Sequence, residues 1–260
     1  MNPASCARIH FIRKIDVSSI LPLAIPDHYA KFSVTIKDRF TMKNFHTLLQ
    51  ESSIAHGHLC PGQVVGVRMA MLGCRLIGLT DPTRLDQIKK LLVYVEMDRC
   101  TADAVAHVTG VKLGRRSLKF MDYGIMAATF INLMSQKSFR VLSTEESREL
   151  VSEYAPEIHG KSRQQLTAYQ RMPDSVLFRV QEVQVKLNEL DLPGPTRWKA
   201  VCSRCGQVIR DGREIIRNNK ILCKPCTEQS YFSDAREITW PDMNWSPVNP
   251  GPDPVQEMHS

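Results

Sequence analysis

Apolar residues fall three to four positions apart from Lys43 to Ala55, with Phe45, Leu48, Leu49 and Ser52 on one face, so the spacing predicts an amphipathic helix. From Gly62 to Gly78 the pattern changes. Val64, Val65, Val67, Met69, Ala70, Met71 and Leu72 surround the axis, as in a buried helix, and Gly66 and Gly73 would let a neighbour approach closely. Arg68 and Arg75 interrupt it and need partners, with Arg68 expected over a site or a subunit boundary. A turn at Thr80-Asp81-Pro82 and a charged helix or loop to Lys90 lead into Leu91–Glu96, dense in β-branched and aromatic residues and read as a strand. A short helix over Thr101–Thr109 follows, stopped by Gly110.

Further on, strands are expected at 117–121, 139–142 and, by alternation, 178–187, with a helix or strand at 126–133. Ser143, with Glu146 three residues later, predicts a capped helix to Tyr154. Pro173-Asp174-Ser175 opens a short turn. The stiff run Asp191-Leu192-Pro193-Gly194-Pro195 is the best domain boundary. This mixture of helices and strands predicts an α+β core over 42–190, a linker over 191–197 and an appended module over 198–232. A Pro-rich tail over 233–260 is expected to be disordered or to lie as an arm on another surface. Residues 1–41 show no regular period, which predicts a disordered leader or a true start at Met42.

The 260 residues, 43% of them apolar, allow one large domain or a medium one with an appendage. No run approaches the roughly 18 apolar residues of a membrane span. Eight cysteines invite a disulfide reading, but four of them form two Cys-x-x-Cys pairs and no secretion signal precedes them. The expectation is a reducing, cytoplasmic compartment and metal.

Candidate chemistry concentrates at His56-Gly57-His58-Leu59-Cys60-Pro61-Gly62, three metal-ligand side chains within five residues. A residue before proline avoids the helical region while proline suits a first helical turn, so Cys60 should sit at a helix N-terminus that favours its thiolate. Cys100 has a similar setting between the expected strand and helix, with Asp103 three residues on and His107 four beyond that. These spacings predict a core metal or reactive-thiol site of His56, His58, Cys60 and Cys100, lined by Asp103 and Tyr123, with a second metal ion, zinc by its donor set. His58 is the preferred third ligand, both sulfurs are expected close together with depressed pKa values, and Cys6 and Cys74 are expected to behave as ordinary thiols. The bland alternative is a tight turn with solvent-facing histidines and cysteines as core filler. For His107 the surface reading is preferred.

Cys202-x2-Cys205, seventeen residues, then Cys223-x2-Cys226 is the spacing of a structural zinc site. Asp211-Gly212 predicts a hairpin between the pairs, 218–220 a second turn, and Thr227 the start of a helix, which together describe a treble clef. Four thiolates leave no open position, so this zinc is expected to be structural. Residues 197–226 hold eight cations against Asp211 and Glu214, a large part of the net charge of +7. Such a patch can meet nucleic acid, an acidic protein or an anionic ligand.

Several separated motifs in order then resemble one family: His56–Gly62, Gly66-x-Arg68, Glu96-x3-Cys100-x2-Asp103-Ala104, Thr109-Gly110 and Asp122-Tyr123-Gly124. The chain from Met42 to Phe232 is similar to the FmdE family, named after a component of formylmethanofuran dehydrogenase, some of whose members carry a treble-clef finger behind an α+β core. It departs from the family in having Ile125 after the Tyr-Gly pair, where lysine is common, and Gly114-Arg115-Arg116 in place of a glycine-rich loop. The resemblance implies a metal-binding accessory protein of a molybdenum or tungsten formylmethanofuran or formate-type dehydrogenase. The residues alone leave open a small metalloenzyme at the core site and a nucleic-acid-binding regulator using the basic finger. The partners expected are a second copy in a homodimer and a dehydrogenase complex or small-molecule ligand, with neither nucleic acid nor membrane favoured.

Overall fold

The computed structural model describes residues 42–238; the expected leader, Cys6 and residues 239–260 of the tail lie outside them. Helix α1, Phe45–His56, is capped by Asn44, whose side chain accepts from the Thr47 N–H, and it buries Leu48, Leu49, Ser52 and Ser53. It stops at Gly57, where φ is 96°, a left-handed conformation that glycine adopts without strain. Helix α2, Pro61–Leu76, starts on Pro61 with Cys60 as N-cap. A short helix α3 (Leu85–Ile88) and strand β1 (Leu91–Val95) follow. Helix α4 (Cys100–Thr109) ends on left-handed Gly110.

A five-stranded sheet runs in the order β2-β1-β3-β4-β5, built from β1, β2 (Leu118–Phe120), β3 (Ala127–Asn132), β4 (Ser138–Ser143) and β5 (Phe178–Glu182). β1 and β2 are parallel, through the α4 crossover, and the other neighbours are antiparallel. One face of the sheet (Leu91, Val93, Val95, Ala128, Phe130 and Val141) joins the helices in the main core. Helix α2 is the spine of that core, and two of its glycines make the packing possible. A Cβ on Gly73 would lie 2.2 Å from the Phe130 ring, and one on Gly66 would lie 2.6 Å from the Ala104 Cβ. Neither contact is survivable without moving α2 off the sheet or off α4.

On the second face Arg140 forks onto buried Glu96, Nε to Oε1 at 2.7 Å and Nη2 to Oε2 at 2.6 Å, and this hydrogen bonding pushes the guanidinium pKa up. Arg68 finds its partners within the core. It donates to the carbonyls of Tyr169 and Met172 and pairs with Asp174 at 2.6 Å, tying α2 to the elements before β5.

Several expectations are corrected between β4 and β5. The capped helix from Ser143 is two single turns, α5 (Glu146–Glu149) and α6 (Val151–Tyr154). Ser143 belongs to β4 and pairs with Phe178, so Thr144 takes over the cap and its hydroxyl accepts from the Ser147 N–H. The alternating run from Phe178 leaves the sheet after Glu182. Helix α7 (Lys161–Arg171) has no clear sequence signal, because only Ala168 and Tyr169 on it are fully buried and its apolar stripe is thin. A last short turn, α8 (Asp174–Leu177), leads into β5.

The C-terminal module carries two hairpins. β6 (Lys199–Val201) pairs with β7 (Val208–Arg210) around the first cysteine pair, and β8 (Ile215–Arg217) pairs with β9 (Lys220–Leu222) before the second. Asp211-Gly212 therefore joins the two hairpins instead of making one. The Asp211 side chain accounts for this: it turns inward, accepts from the Arg197 N–H, and lies 2.9 Å from Arg116 Nη1 of the core, near enough for an ion pair though not aligned as a hydrogen bond. The helix expected from Thr227 is a single 3-10 turn over Lys224–Thr227, closed by left-handed Glu228.

Candidate metal centres

The core cluster forms where two helices begin side by side. A Cβ on Gly62 would lie 3.0 Å from the Cys100 Cβ and 3.7 Å from the Cys60 sulfur, so glycine there lets the first turns of α2 and α4 meet. Gln63, fully buried, donates to the Cys100 carbonyl at 2.7 Å and receives the Ser52 hydroxyl, while Thr101 donates to the Gly62 carbonyl. These bonds lock α1, α2 and α4 around the two cysteines. Nothing in the sequence singles out Gln63; its only signal is a polar residue on an otherwise apolar helix face.

His56 closes α1 and His58 follows the Gly57 turn, which brings the two rings to a centroid distance of 4.8 Å. One ring nitrogen of each and the Cys60 sulfur lie within 4.8 Å of one another. Asp103, reaching from α4, lies 2.8 Å from His56 Nδ1. A carboxylate can only accept, so Nδ1 carries a proton, and in the neutral imidazole the lone pair is on Nε2. That Nε2 is buried and has no hydrogen-bond partner among the described residues. An inward lone pair fixed from behind by a carboxylate is the arrangement of a metal-ligating histidine. Asp103 thus acts on His56 and is not itself placed as a ligand.

Cys100 is not part of the tight triple. Its Cβ and the Cys60 sulfur both border Gly62, and burial, followed by the neighbouring Cys60, raises its pKa. The expected depression at the helix start is corrected for Cys100: two adjacent, partly buried thiols oppose each other's ionisation more than one helix terminus favours it. A cation between them would reverse that balance. Tyr123 stands 60% exposed on the loop after β2, and His107 lies half-buried beside Met42 and Asp81, outside the cluster. Cys74 is fully buried, and desolvation pushes its thiol up to about 12.

In the finger, Cys202, Cys205, Cys223 and Cys226 bring their sulfurs within 4.8 Å of one another, Cys205 and Cys223 at 3.7 Å. The Cys223 backbone N–H leads several donors that hold Cys202 down to about 6, while Cys226 rises to about 12 through its contacts with Cys223 and the other thiols. Crowded thiols oppose each other's ionisation, and a cation among them would favour the thiolates.

Three comparisons bear on identity. Over 211 residues the chain is 25% identical to a protein of Archaeoglobus fulgidus described as a probable S-adenosyl-L-methionine-binding protein, a match covering 74% of this chain and 55% of that one. The chain thus spans little more than half of that relative's length. The crystal structure of a tungsten formylmethanofuran dehydrogenase FmdE-like protein from Syntrophus aciditrophicus superposes with a TM-score of 0.50 at 17% identity, over 74% of this chain and 96% of the other. At that identity the likeness is one of fold. The family described as FmdE, molybdenum formylmethanofuran dehydrogenase operon, matches residues 55–184. That match covers half of the sequence and contains the whole His56–Asp103 cluster, and the chain belongs to the FmdE family.

Proposed function

We propose that this protein is a metal-binding accessory component of a molybdenum or tungsten formylmethanofuran or formate-type dehydrogenase system. In this reading His56, His58 and Cys60 hold a divalent cation, zinc by the donor types, with Cys100 beside Cys60 and Asp103 orienting His56. The observation that carries the metal site is the buried, unpartnered Nε2 of His56 beside His58 and Cys60. The family description and the tungsten-system relative support the accessory role. Seven free cysteines among the described residues agree with a reducing cytoplasm, and no described helix is long and apolar enough to cross a membrane. A homodimer belongs to the same proposal.

A second reading has its own observation. His58 and Leu59 are exposed, so the cluster opens to solvent. A cation there with an unfilled position would supply Lewis-acid chemistry or an acidified water, as in a small metalloenzyme. The nucleic-acid reading rests on charge alone.

Metal analysis tests the site. The native protein is expected to carry about two equivalents of divalent metal and the His56→Ala and Cys60→Ser variants about one, with the finger still loaded. Unchanged stoichiometry in both variants would sink the core site. Co-elution with a molybdenum or tungsten dehydrogenase from the host tests the accessory role, and its consistent absence would leave the metalloenzyme reading in front.

A further inference from the structure

The seam between the core and the finger holds a cavity of about 400 Å³, lined by none of the histidine–cysteine cluster and roofed by the linker and the finger. Its size falls within the range of small-ligand pockets, and Tyr94, Leu113 and Phe120 supply apolar wall. Leu113 and Phe120, 65% and 44% exposed, present apolar surface at its mouth.

The charges around the cavity do not balance. Arg116 is matched by buried Asp211. Arg213 donates to Asp191 at 3.0 Å. Lys119 is left with the same Asp191 at 3.9 Å, an anion already engaged, although the lysine side chain is only 14% exposed. Burial accordingly lowers the Lys119 pKa in spite of Asp191, with Arg116 and Arg213 adding to the effect. A half-buried ammonium sharing a distant carboxylate is short of about one negative charge.

We propose that this seam is a binding site for an organic monoanion, a carboxylate or its equivalent on a flat apolar body. Lys119 and Arg213 receive the charged head, and Tyr94, Leu113 and Phe120 flank the body. The finger is then one wall of a ligand site. An inorganic anion would satisfy Lys119 but leave the apolar wall wet; a neutral aromatic would do the reverse.

Titration calorimetry of the full chain with 2-naphthoate, with its neutral isostere 2-naphthamide and with inorganic phosphate tests both halves of the claim. Naphthoate is expected to bind about tenfold more tightly than either control. Lys119→Met should cost about tenfold and Lys119→Arg much less, whereas Asp191→Asn, by removing the competing carboxylate, should tighten binding. That last gain distinguishes a ligand site from a loosened seam, which would weaken binding in every variant. Equal binding of acid and amide, phosphate binding as well as naphthoate, no binding at all, or indifference to Lys119→Met would each overturn the proposal.

Discussion

The two thiol clusters of this chain are made of similar parts and organised oppositely. In the finger, two cysteines come from the first hairpin and two from the turn after the second, and the protein around them is thin: apart from the ligands, Ala200 and Ile209 are its buried apolar side chains. Such a module has little apolar area of its own, so a metal held by the four cysteines would contribute to its folding. In the core cluster, the candidate ligands stand at the ends of helices already held by Gly62, Gly66, Gln63 and the sheet below. There the fold makes the site. The first arrangement suits a closed structural ion and the second an open one whose chemistry can be used.

The sharpest way to break this comparison is to remove one thiol from each cluster. Cys205→Ser is expected to abolish finger metal and unfold residues 198–232, seen as loss of amide protection there, with the core protected. Cys60→Ser should lose core metal with the melting transition nearly unchanged. If the finger stays protected after Cys205→Ser, metal does not organise it. If the core unfolds after Cys60→Ser, the contrast collapses.

Glu96→Ala asks the converse question, whether the core depends on its own packing and polar pairs. Removing the acceptor leaves Arg140, 20% exposed, without its fork, and should cost about 3 kcal/mol in denaturant unfolding of the core while finger metal remains. A shift of the finger alone would refute it.

Asp103→Asn sharpens the core site without dismantling it. The amide cannot hold His56 Nδ1–H as a carboxylate does, so metal affinity at the core should fall about tenfold or more in a chelator competition, with no change at the finger. Equal affinities would mean that Asp103 is a solvated surface charge, as its exposure alone would imply.

The smallest effect concerns protons. The Cys74 pKa of about 12 is raised from 9.0, so folding favours the neutral thiol. Its contribution to stability is complete below about pH 9 and is lost as pH rises toward 12. In metal-free protein at pH 8, Cys74 should resist alkylation until the chain unfolds, and Cys100, also raised, should react more slowly than an ordinary exposed thiol. Mass-spectrometric mapping of labelled peptides checks both, and prompt native labelling of Cys74 would contradict its burial.

Local signals were enough for the elements that bear the cluster. Pro61 and Gly110 mark the start of α2 and the end of α4, because caps and dihedral restrictions act within a few residues. Gly66 and Gly73 announced close neighbours but not which ones, and that Ala104 and Phe130 fill those places is a fact of tertiary packing. Around the finger, Asp211-Gly212 has hairpin chemistry, yet the pull of Arg197 and Arg116 on one buried carboxylate makes it a joint between hairpins.

The sequence by itself determined the ligand types, their spacing and the family, because motifs are local and survive reading in one dimension. The tertiary structure decided that Asp103 serves His56, that Cys100 stands beside Cys60 but outside the tight triple, and that Lys119 faces a seam short of one negative charge. Each depends on desolvation and on contacts between residues distant along the chain, whose energies exist only once α1, α2, α4, the sheet edge and the finger have come together.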